Sequence, residues 1–293
     1  MFLSVVIPAF NEEKRLPETL KKVKTYLEKQ PYDPASPDGG QGGWEVLVVN
    51  DGSRDQTAAV VSDLVGKWQG FRLIDNKENR GKGAVVKQGM LETKGEWRLY
   101  MDADNSTDIS EIEKLWAYTS ASSRQHLQTT GSSRPSEASL PTRSASSFDH
   151  ATRPARVSLE DTGSFQPFEI VIGSRYLKAD SIKIKQPLIR RIVSRVGNWL
   201  IRVLLGINMA DTQCGFKMFS AKATKEIFPK QTIMRWGFDM EILAISIKKG
   251  YKIKEVAVDW YDSTDSQVRK SAALQTLKEL LIIKWNLMRG KYS

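Results

Sequence analysis

Short apolar runs that alternate with helical patterns constrain the fold of this chain more than any other feature of its sequence. β-branched and aromatic residues concentrate at residues 3–7, 45–49, 71–74 and 97–101, which read as strands, and helical patterns begin near Glu12, Asp55, Gly83 and Ser110. Strands that alternate with helices pair mostly in parallel, with the helices packed on the sheet. The sequence therefore predicts an α/β fold with a mostly parallel central sheet, whose binding sites lie at the carboxyl ends of the strands.

The composition changes at residues 120–166, which are rich in Ser, Thr, Arg and Pro and poor in large apolar side chains. Such a segment cannot bury enough apolar surface to offset the entropy lost on ordering, so we expect a disordered, low-complexity insertion. A further strand is predicted at residues 168–173. We therefore expect residues 1–119 and 167–262 to form two parts of one domain, followed by an amphipathic helix within residues 263–293.

Net charge, cysteine and histidine content limit the available chemistry. A net charge of +10 and a pI near 9.5 favour an anionic partner, whether nucleic acid, an anionic membrane surface or a phosphorylated substrate. Cys214 is the only cysteine, which excludes an intramolecular disulfide and fits a reducing, cytosol-facing location. Because His126 and His150 both lie in the insertion, carboxylates must carry any metal and proton chemistry.

Two segments of the second half, residues 187–205 and 271–288, have the pattern of basic amphipathic helices. Each either packs its apolar side on the core or lies in a membrane interface. The apolar run at residues 2–10 is too short to span a bilayer, so we expect no transmembrane segment and a peripheral membrane contact. The first segment sets Leu200, Val203 and Leu204, among others, opposite Arg190, Arg191, Arg195 and Arg202, and the second spaces Leu274, Leu277, Leu281, Trp285 and Met288 along one side, near Lys278, Lys284, Arg289 and Lys291.

Polar turns follow the first two predicted strands, at the positions where α/β sheets bind nucleotides. The first strand runs into Pro8-Ala9-Phe10-Asn11-Glu12-Glu13 and the second into Asn50-Asp51-Gly52-Ser53. Asp51 is placed to accept hydrogen bonds from a base or a ribose, and Gly52 allows a close backbone approach. Capping of the next helix by Ser53 or Asp55 is the structural alternative.

Two further motifs carry the groups expected around a diphosphate. Asn79-Arg80-Gly81-Lys82-Gly83-Ala84 opens a helix, where the glycines, the lysine and the helix N-terminus suit a diphosphate, although Gly-Lys-Gly also occurs in plain turns. Asp102 and Asp104 follow the strand at residues 97–101, and their spacing lets both carboxylates reach a shared cation or its water shell. Hard oxygen ligands select Mg²⁺ or Mn²⁺. Such a cation neutralises the charge that grows on a leaving nucleoside diphosphate.

In this order the motifs resemble those of family 2 glycosyltransferases, which have the GT-A fold, a Rossmann-like and mostly parallel sheet flanked by helices. The resemblance implies that residues 1–119 bind a nucleotide sugar, with Lys82 near the nucleotide. It also implies that Asp102 contacts the nucleotide or the metal and that Asp104 binds the metal, Mg²⁺ or Mn²⁺. The residues that it places around the nucleoside are Pro8, Ala9, Glu12 and Asp51.

The second half resembles the dolichyl-phosphate β-glucosyltransferase branch of that family and its bacterial polyprenyl-phosphate relatives. The resemblance implies that residues 167–262 bind the acceptor, that Arg175 and Lys217 face phosphates, and that Asp239 and Glu241 lie near the acceptor, one of them as general base. A lipid monophosphate has a second pKa of about 6, so it is largely ionised already and positioning is expected to dominate. The motifs are Gly173-Ser174-Arg175-Tyr176, Asp211-Thr212-Gln213-Cys214-Gly215-Phe216-Lys217 and Trp236-Gly237-Phe238-Asp239-Met240-Glu241.

The activity implied by the resemblance is inverting transfer of a hexose, glucose from UDP-glucose by preference, to a polyprenyl or dolichyl monophosphate. The implied partners are the nucleotide sugar, the lipid phosphate and a membrane surface, at the cytosolic face of a bacterial inner membrane or of the endoplasmic reticulum. GDP-mannose as donor and another glycan as acceptor are alternatives within the same fold. Nucleic-acid binding through the basic charge is a remote alternative that leaves Asp102 and Asp104 unexplained, so no nucleic-acid partner is expected.

One position departs from the family pattern. Near the C-terminus such enzymes often show Trp, a short spacer and Ser-Lys, whereas here Trp260 leads to Ser266-Gln267-Val268-Arg269. Gln267 lacks the positive charge of the lysine. Whether Arg269 replaces that charge is left open by the sequence.

Overall fold

A computed structural model describes residues 1–30, 43–119, 167–178, 197, 200–261 and 272–293. The strands are β1 (Leu3–Ala9), β2 (Trp44–Asp51), β3 (Phe71–Asn76), β4 (Trp97–Met101), β5 (Ile170–Ser174), β6 (Phe216–Ser220) and β7 (Ile253–Ala257). The helices are α1 (Leu16–Leu27), α2 (Thr57–Val65), α3 (Lys82–Glu92), α4 (Ile112–Trp116), α5 (Ala221–Ile227), α6 (Phe238–Lys248) and α7 (Ala272–Met288), with 3-10 turns at Ile109–Glu111 and Phe228–Lys230.

The strands form one sheet of seven in the order β3-β2-β1-β4-β6-β5-β7. All neighbours pair in parallel except β6, which is antiparallel to both β4 and β5. The chain moves outward from β1 to β2 and β3, then returns to place β4 on the other side of β1. The loops after β1 and β4 therefore diverge, and they open a crevice at the carboxyl edge of the sheet where α/β folds bind ligands.

Helices cover both faces of the sheet, which explains why the central strands are buried throughout and mainly apolar rather than alternating. All seven residues of β1 and all eight of β2 are buried. On one face α1 and α4 pack through residues such as Leu16, Leu20 and Trp116. On the other face α3, α5 and α6 pack through residues such as Val86, Ile227 and Leu243. Burial on both faces holds the carboxyl edge rigidly.

The predicted α/β fold with a mostly parallel sheet is confirmed, and all five predicted strands are present. Each has boundaries within three residues of those expected, which is the usual error at strand ends. Two strands were not predicted, β6 and β7. β6 contains a lysine in an otherwise apolar run, and β7 is only half-buried, so neither shows a clear apolar pattern.

Helix α7 packs one side on the core and exposes the side that the sequence predicted to be apolar. It packs against α6 through Leu280 and Ile283, which are buried. The side predicted to be apolar faces outward, because Leu277, Leu281, Trp285 and Met288 are all exposed. Among the described residues, no helix is both long and apolar enough to cross a bilayer.

The described end of the first amphipathic segment differs from its predicted pattern. Residues 200–205 are helical, and Leu200 and Leu204 pack partly on the core as expected. The most deeply buried residue, however, is Ile201, whereas Val203 is exposed although the pattern placed it on the apolar side. Relative to the predicted orientation, this part of the helix is rotated so that Ile201 faces the core and Val203 faces solvent. Residues 187–196, the insertion at 120–166, Gln267 and Arg269 lie outside the described residues.

Candidate active site

The ends of β1 and β2 are joined by a dense set of polar contacts. The amide of Asn11 donates to Ser53 Oγ over 2.9 Å, and the Arg54 amide donates to Asn11 Oδ1 over 2.9 Å. Asp55 accepts from the amides of Thr57 and Glu13, so it satisfies the start of α2, as the capping alternative predicted. Pro8 and Ala9 end β1 and are buried in this edge.

Asp51, at the end of β2, holds the loop that precedes α3. Its Oδ1 accepts from the Arg80 amide over 2.7 Å and its Oδ2 from the Gly81 amide over 2.9 Å. Both carboxylate oxygens therefore have a protein donor in this structure, and the residue is almost fully buried. Its predicted contact with a base or ribose stays a prediction, because each oxygen retains a second lone pair.

Glu12 and Asp104 are brought together by Arg15, the residue before α1. Arg15 Nε donates to Glu12 Oε2 over 2.7 Å, and its guanidinium lies 3.9 Å from Asp104 Oδ2. Burial raises the pKa of Glu12, and the attraction of Arg15 opposes that shift. Asp104 Oδ1 also accepts from the Ser106 amide over 3.0 Å, which fixes the turn after β4.

Lys82 and Asp102 form an ion pair at the mouth of the site, with 2.6 Å between Nζ and Oδ1. Burial lowers the pKa of Lys82, but the negative charges of Asp102 and Asp239 outweigh it, so the net shift is upward. Gly215 lies against the other side of the Asp102 carboxylate: a Cβ there would stand 2.1 Å from Oδ2. A side chain at position 215 would therefore displace Asp102.

Beneath this pair, Lys217 of β6 and Asp239 of α6 form a second ion pair that is buried. Lys217 Nζ lies 2.5 Å from Asp239 Oδ1, and it also donates to the Cys214 carbonyl over 2.6 Å and to the Tyr100 hydroxyl over 3.0 Å. Tyr100 donates to the same Asp239 oxygen. Burial and the charge of Asp239 raise the pKa of Tyr100 well above its usual range, so the phenol stays protonated as a donor.

Arg175, which follows β5, pairs with the buried Asp211. The pair is bidentate, at 2.7 Å from Nε to Oδ2 and 2.9 Å from Nη2 to Oδ1, and the Arg175 amide donates to Oδ2 as well. The guanidinium lies 5.4 Å from the ring centres of both Tyr176 and Trp260. Although burial opposes ionisation, Arg175 holds the pKa of Asp211 below its usual range. The cation is thus fixed in orientation at the carboxyl edge.

Glu241 is not brought to this edge. It is fully buried on α6 and accepts from the amides of Thr232 and Ile233 and from the hydroxyls of Thr232 and Tyr292, at 2.6 to 2.8 Å. These contacts tie the C-terminal end of the chain and the loop at residues 232–237 to α6. The geometry gives Glu241 a structural role, and its predicted position near the acceptor stays a prediction.

The glycines of Gly81-Lys82-Gly83 serve packing rather than an open phosphate cradle. A Cβ on Gly81 would lie 2.4 Å from the Met234 carbonyl, and one on Gly83 would lie 2.8 Å from the Ile233 carbonyl. The Ala84 amide, in the first turn of α3, donates to the Met234 carbonyl over 3.1 Å. The loop at residues 232–237 therefore packs against the start of α3, beside the position that we predicted for a diphosphate, and its backbone satisfies one amide of the first turn.

The lone cysteine is placed as a poor nucleophile. Cys214 is buried, and burial together with the charge of Asp211 raises the pKa of its thiol to about 12. The thiolate, which is the nucleophilic form, is therefore scarce at neutral pH. The main role visible for this residue is its backbone carbonyl, which accepts from Lys217.

The carboxylates of the site fit a divalent cation only if a bound substrate supplies further coordinating oxygens. Within the described residues, no three His, Cys, Asp or Glu side chains are grouped as a metal site. Asp102 and Asp104 supply oxygen ligands at the mouth of the site, and both are partly exposed. Mg²⁺ is commonly bound through one or two carboxylates with the remaining positions taken by substrate phosphates and water. The two aspartates fit that arrangement.

Several residues of the site were not assigned a role from the sequence. Tyr100, Asp211 and Gly215 each contact a predicted site residue, and Glu255 of β7 accepts from the Asp211 amide over 2.7 Å. Asp211 and Gly215 lie within a motif that was noticed, so a signal existed. Tyr100 is hidden in an apolar strand, and Glu255 in a strand that was not predicted.

Solved structures share this architecture. Glucosyl-3-phosphoglycerate synthase from Mycobacterium tuberculosis, crystallised with Mn²⁺, UDP-glucose and phosphoglyceric acid, has a TM-score of 0.56 at 14% identity, covering 97% of this chain and 79% of that one. Mannosyl-3-phosphoglycerate synthase from Rubrobacter xylanophilus has a TM-score of 0.59 at 13% identity, covering 99% and 75%. The fold is that of the GT-A glycosyltransferases, as the sequence predicted.

The sequence comparisons narrow the class to a family. The sequence model of the protein family described as Glycosyl transferase family 2 matches residues 4–139 of this chain. Dolichyl-phosphate beta-glucosyltransferase ALG5D of Trichomonas vaginalis is 31% identical over 97% of this chain and 73% of its own length. The human dolichyl-phosphate beta-glucosyltransferase is 32% identical over 99% and 77%. The chain therefore belongs to glycosyltransferase family 2, in the group of the dolichyl-phosphate beta-glucosyltransferases, and is a glycosyltransferase.

Proposed function

We propose that this enzyme transfers glucose from UDP-glucose to dolichyl phosphate or a similar polyprenyl phosphate, with inversion at the anomeric carbon. The observation that carries the proposal is similarity to dolichyl-phosphate beta-glucosyltransferases along almost the whole chain. The site supports it, because Lys82, Asp102 and Asp104 meet at the carboxyl edge where a nucleotide sugar binds in α/β folds. Arg175, from the second half of the chain, adds a cation that Asp211 holds in a fixed orientation.

The proposed step is a single displacement. An oxygen of the lipid phosphate bonds to the anomeric carbon, while the bond from that carbon to the β-phosphate oxygen breaks and UDP leaves with the electron pair. No proton need be removed, because the second pKa of such a monophosphate is about 6. This suits a site in which Asp239 is already engaged by Lys217 and Tyr100, and Glu241 by four donors. Positioning and charge then supply the catalysis.

We assign a divalent cation, Mg²⁺ or Mn²⁺, to Asp102 and Asp104. Bound there with the donor, it would neutralise negative charge on the diphosphate. Arg15, which pairs with Glu12, lies 3.9 Å from Asp104, while Lys82 and Gly215 lie on the two sides of Asp102. The remaining predicted ligands, Pro8, Ala9 and Asp51, lie on the β1 and β2 side of the same edge and are proposed to surround the nucleoside.

We further propose that α7 rests on the cytosolic face of a membrane. Four apolar side chains of this helix are exposed together, although such residues usually pack inward. The Arg289 guanidinium lies 4.5 Å from the Trp285 ring centre, and Lys278 and Lys284 belong to the same helix. An apolar stripe flanked by cations is typical of interfacial helices, and it would bring the enzyme to a lipid acceptor.

The α7 assignment predicts binding to lipid vesicles. The protein should sediment with vesicles of anionic phospholipids, and the double variant Leu281→Asn and Trp285→Asn should lose most of that binding, since both side chains leave the acyl region. Leu91→Asn is the matched control, because Leu91 is exposed to a similar degree on α3. Equal sedimentation of the double variant and the wild type would contradict membrane docking through α7.

The donor and acceptor are tested together in one assay. The enzyme should convert a short polyprenyl phosphate and UDP-glucose to an organic-phase product with equimolar release of UDP, in MgCl₂ or MnCl₂. UDP-N-acetylglucosamine and GDP-mannose should give little product. Product from GDP-mannose alone would reject glucose as the sugar, and nucleotide release without lipid product from every donor would reject the acceptor.

A further inference from the structure

Most cations at the carboxyl edge are neutralised by a carboxylate of the protein. Lys82 pairs with Asp102, Lys217 with Asp239 and Arg175 with Asp211. Arg15 pairs with Glu12, whereas the Arg80 guanidinium is not neutralised but is held in place by the uncharged side chains of Asn76 and Gln88. A nucleoside diphosphate carries several negative charges, so a cation that the protein has not already paired would add to the compensation given by the proposed divalent ion.

Arg235 supplies that cation. It is exposed, and within the described residues its guanidinium forms no ion pair with a carboxylate at 4.0 Å or less. Its stem crosses Gly81, since a Cβ on Gly81 would lie 2.9 Å from Arg235 Cγ. Burial raises the pKa of Asp51, and the hydrogen bonds from the Arg80 and Gly81 amides oppose that rise, as do the charges of Arg80 and Arg235, so Arg235 lies within electrostatic reach of Asp51.

The loop that carries Arg235 is held from both sides. Glu241 accepts from the amides of Thr232 and Ile233, and Glu279 of α7 accepts from the Gly237 amide over 2.6 Å. On the other side the Ala84 amide donates to the Met234 carbonyl. The backbone of this loop is therefore fixed, which limits the region that the exposed Arg235 side chain can reach.

Trp236 places the next residue of the loop beside the ion pair of the site. Its ring centre lies 6.0 Å from Lys82 Nζ. Arg235 and Trp236 therefore border the stretch from Asp51, the residue proposed for the nucleoside, to Lys82 and Asp102, the residues proposed for the diphosphate end. A guanidinium in that stretch matches phosphate oxygens with paired donors.

We infer that Arg235 is a donor-binding residue whose guanidinium contacts the diphosphate of the nucleotide sugar, so that the loop at residues 232–237 forms one wall of the donor site. The inference rests on the proposed use of a nucleoside diphosphate sugar. It assigns a ligand contact to a residue outside the motifs that define the family resemblance.

The inference is tested by nucleotide binding rather than by turnover alone. Arg235→Gln should weaken UDP binding by about ten-fold, measured by calorimetry in MnCl₂, because a charge-assisted hydrogen bond is lost. Arg235→Lys should recover part of the affinity. Lys225→Gln is the charge-matched control: Lys225 is exposed on α5, which follows the antiparallel β6 and therefore starts at the opposite edge of the sheet. It should bind UDP like the wild type.

Uridine separates a phosphate contact from a nucleoside contact. Arg235→Gln should leave uridine affinity unchanged, and it should raise the donor KM without raising the acceptor KM. Equal loss for uridine and UDP, unchanged UDP affinity, or an effect confined to the acceptor KM would each overturn the inference. If UDP binding weakens as expected but no lipid product forms in the wild type, the proposed acceptor fails while the Arg235 assignment stands.

Discussion

Replacing Asp104 by alanine is expected to reduce glucosyl transfer at least about 100-fold, because a ligand of the catalytic cation would be removed. The melting temperature should change little. Asp104 is partly exposed, and the contacts that the fold would lose include its hydrogen bond from the Ser106 amide and its approach to Arg15. Steady-state rates at saturating UDP-glucose, over a series of MnCl₂ concentrations, measure the effect, and a thermal melt measures the stability.

Asp108 provides a matched control for this substitution. Its Oδ1 accepts from the Ser110 amide over 3.0 Å, the same two-residue turn contact that Asp104 makes with Ser106. Asp108→Ala therefore removes an equivalent turn contact without removing a proposed metal ligand. Near-normal turnover of Asp104→Ala, or wild-type turnover in excess chelator, would reject the metal assignment. Equal losses in both variants would show that the turn matters and the cation does not.

The first half of the chain could be predicted well because its signals are local. β1, β2 and β4 are mainly apolar runs whose residues are all buried, and polar residues follow each of them at the carboxyl edge, whereas β3 is only partly buried. The spacing of Asp102 and Asp104 after β4 is likewise visible in the sequence alone. What could be inferred was the type of residue at each strand end and the edge of the sheet where it lies.

Contacts between distant parts of the chain could not be predicted in the same way. Gly81 and Gly83 suggested a phosphate loop, yet what they admit is the backbone of residues 233–234, which nothing near them in the sequence indicates. Glu241 suggested a residue near the acceptor and a candidate general base, yet its four donors come from Thr232, Ile233 and Tyr292. A carboxylate in a motif has the same appearance whether it serves a ligand or a buried network.

For the amphipathic helices, the sequence likewise did not reveal which side of the helix packs on the core. The apolar spacing along α7 was correctly identified, but spacing alone does not reveal which side meets the core. The structure resolves this because Leu280 and Ile283 fill the contact with α6, which leaves Leu281 and Trp285 outside. At residues 200–205 the same reasoning selected Val203 in place of Ile201, since neighbouring apolar residues are interchangeable in a helical pattern.

The buried pair of Lys217 and Asp239 is expected to matter most for stability. Lys217→Met should destabilise the protein by about 3–5 kcal/mol, because it leaves Asp239 charged and buried with Tyr100 as its remaining side-chain donor. Urea unfolding measures the loss. Lys67→Met is the control: Lys67 pairs with Asp63 at a similar distance of 2.7 Å, but both side chains are about two-thirds exposed. Such a pair contributes less than about 1 kcal/mol.

A double variant separates the structural role of this pair from its predicted catalytic role. Lys217→Met with Asp239→Leu removes both charges, so it should regain much of the stability that the single variant loses, since an apolar pair of similar volume needs no compensation. Tyr100 then lacks its acceptor, which keeps the recovery incomplete. If activity returns together with stability, the pair only supports the fold beneath Lys82 and Asp102. If stability returns and activity does not, the charges of Lys217 and Asp239 act on the substrates, as the sequence predicted. A single variant as stable as the wild type would contradict the structural role, because an unpaired carboxylate at this depth cannot be accommodated without loss.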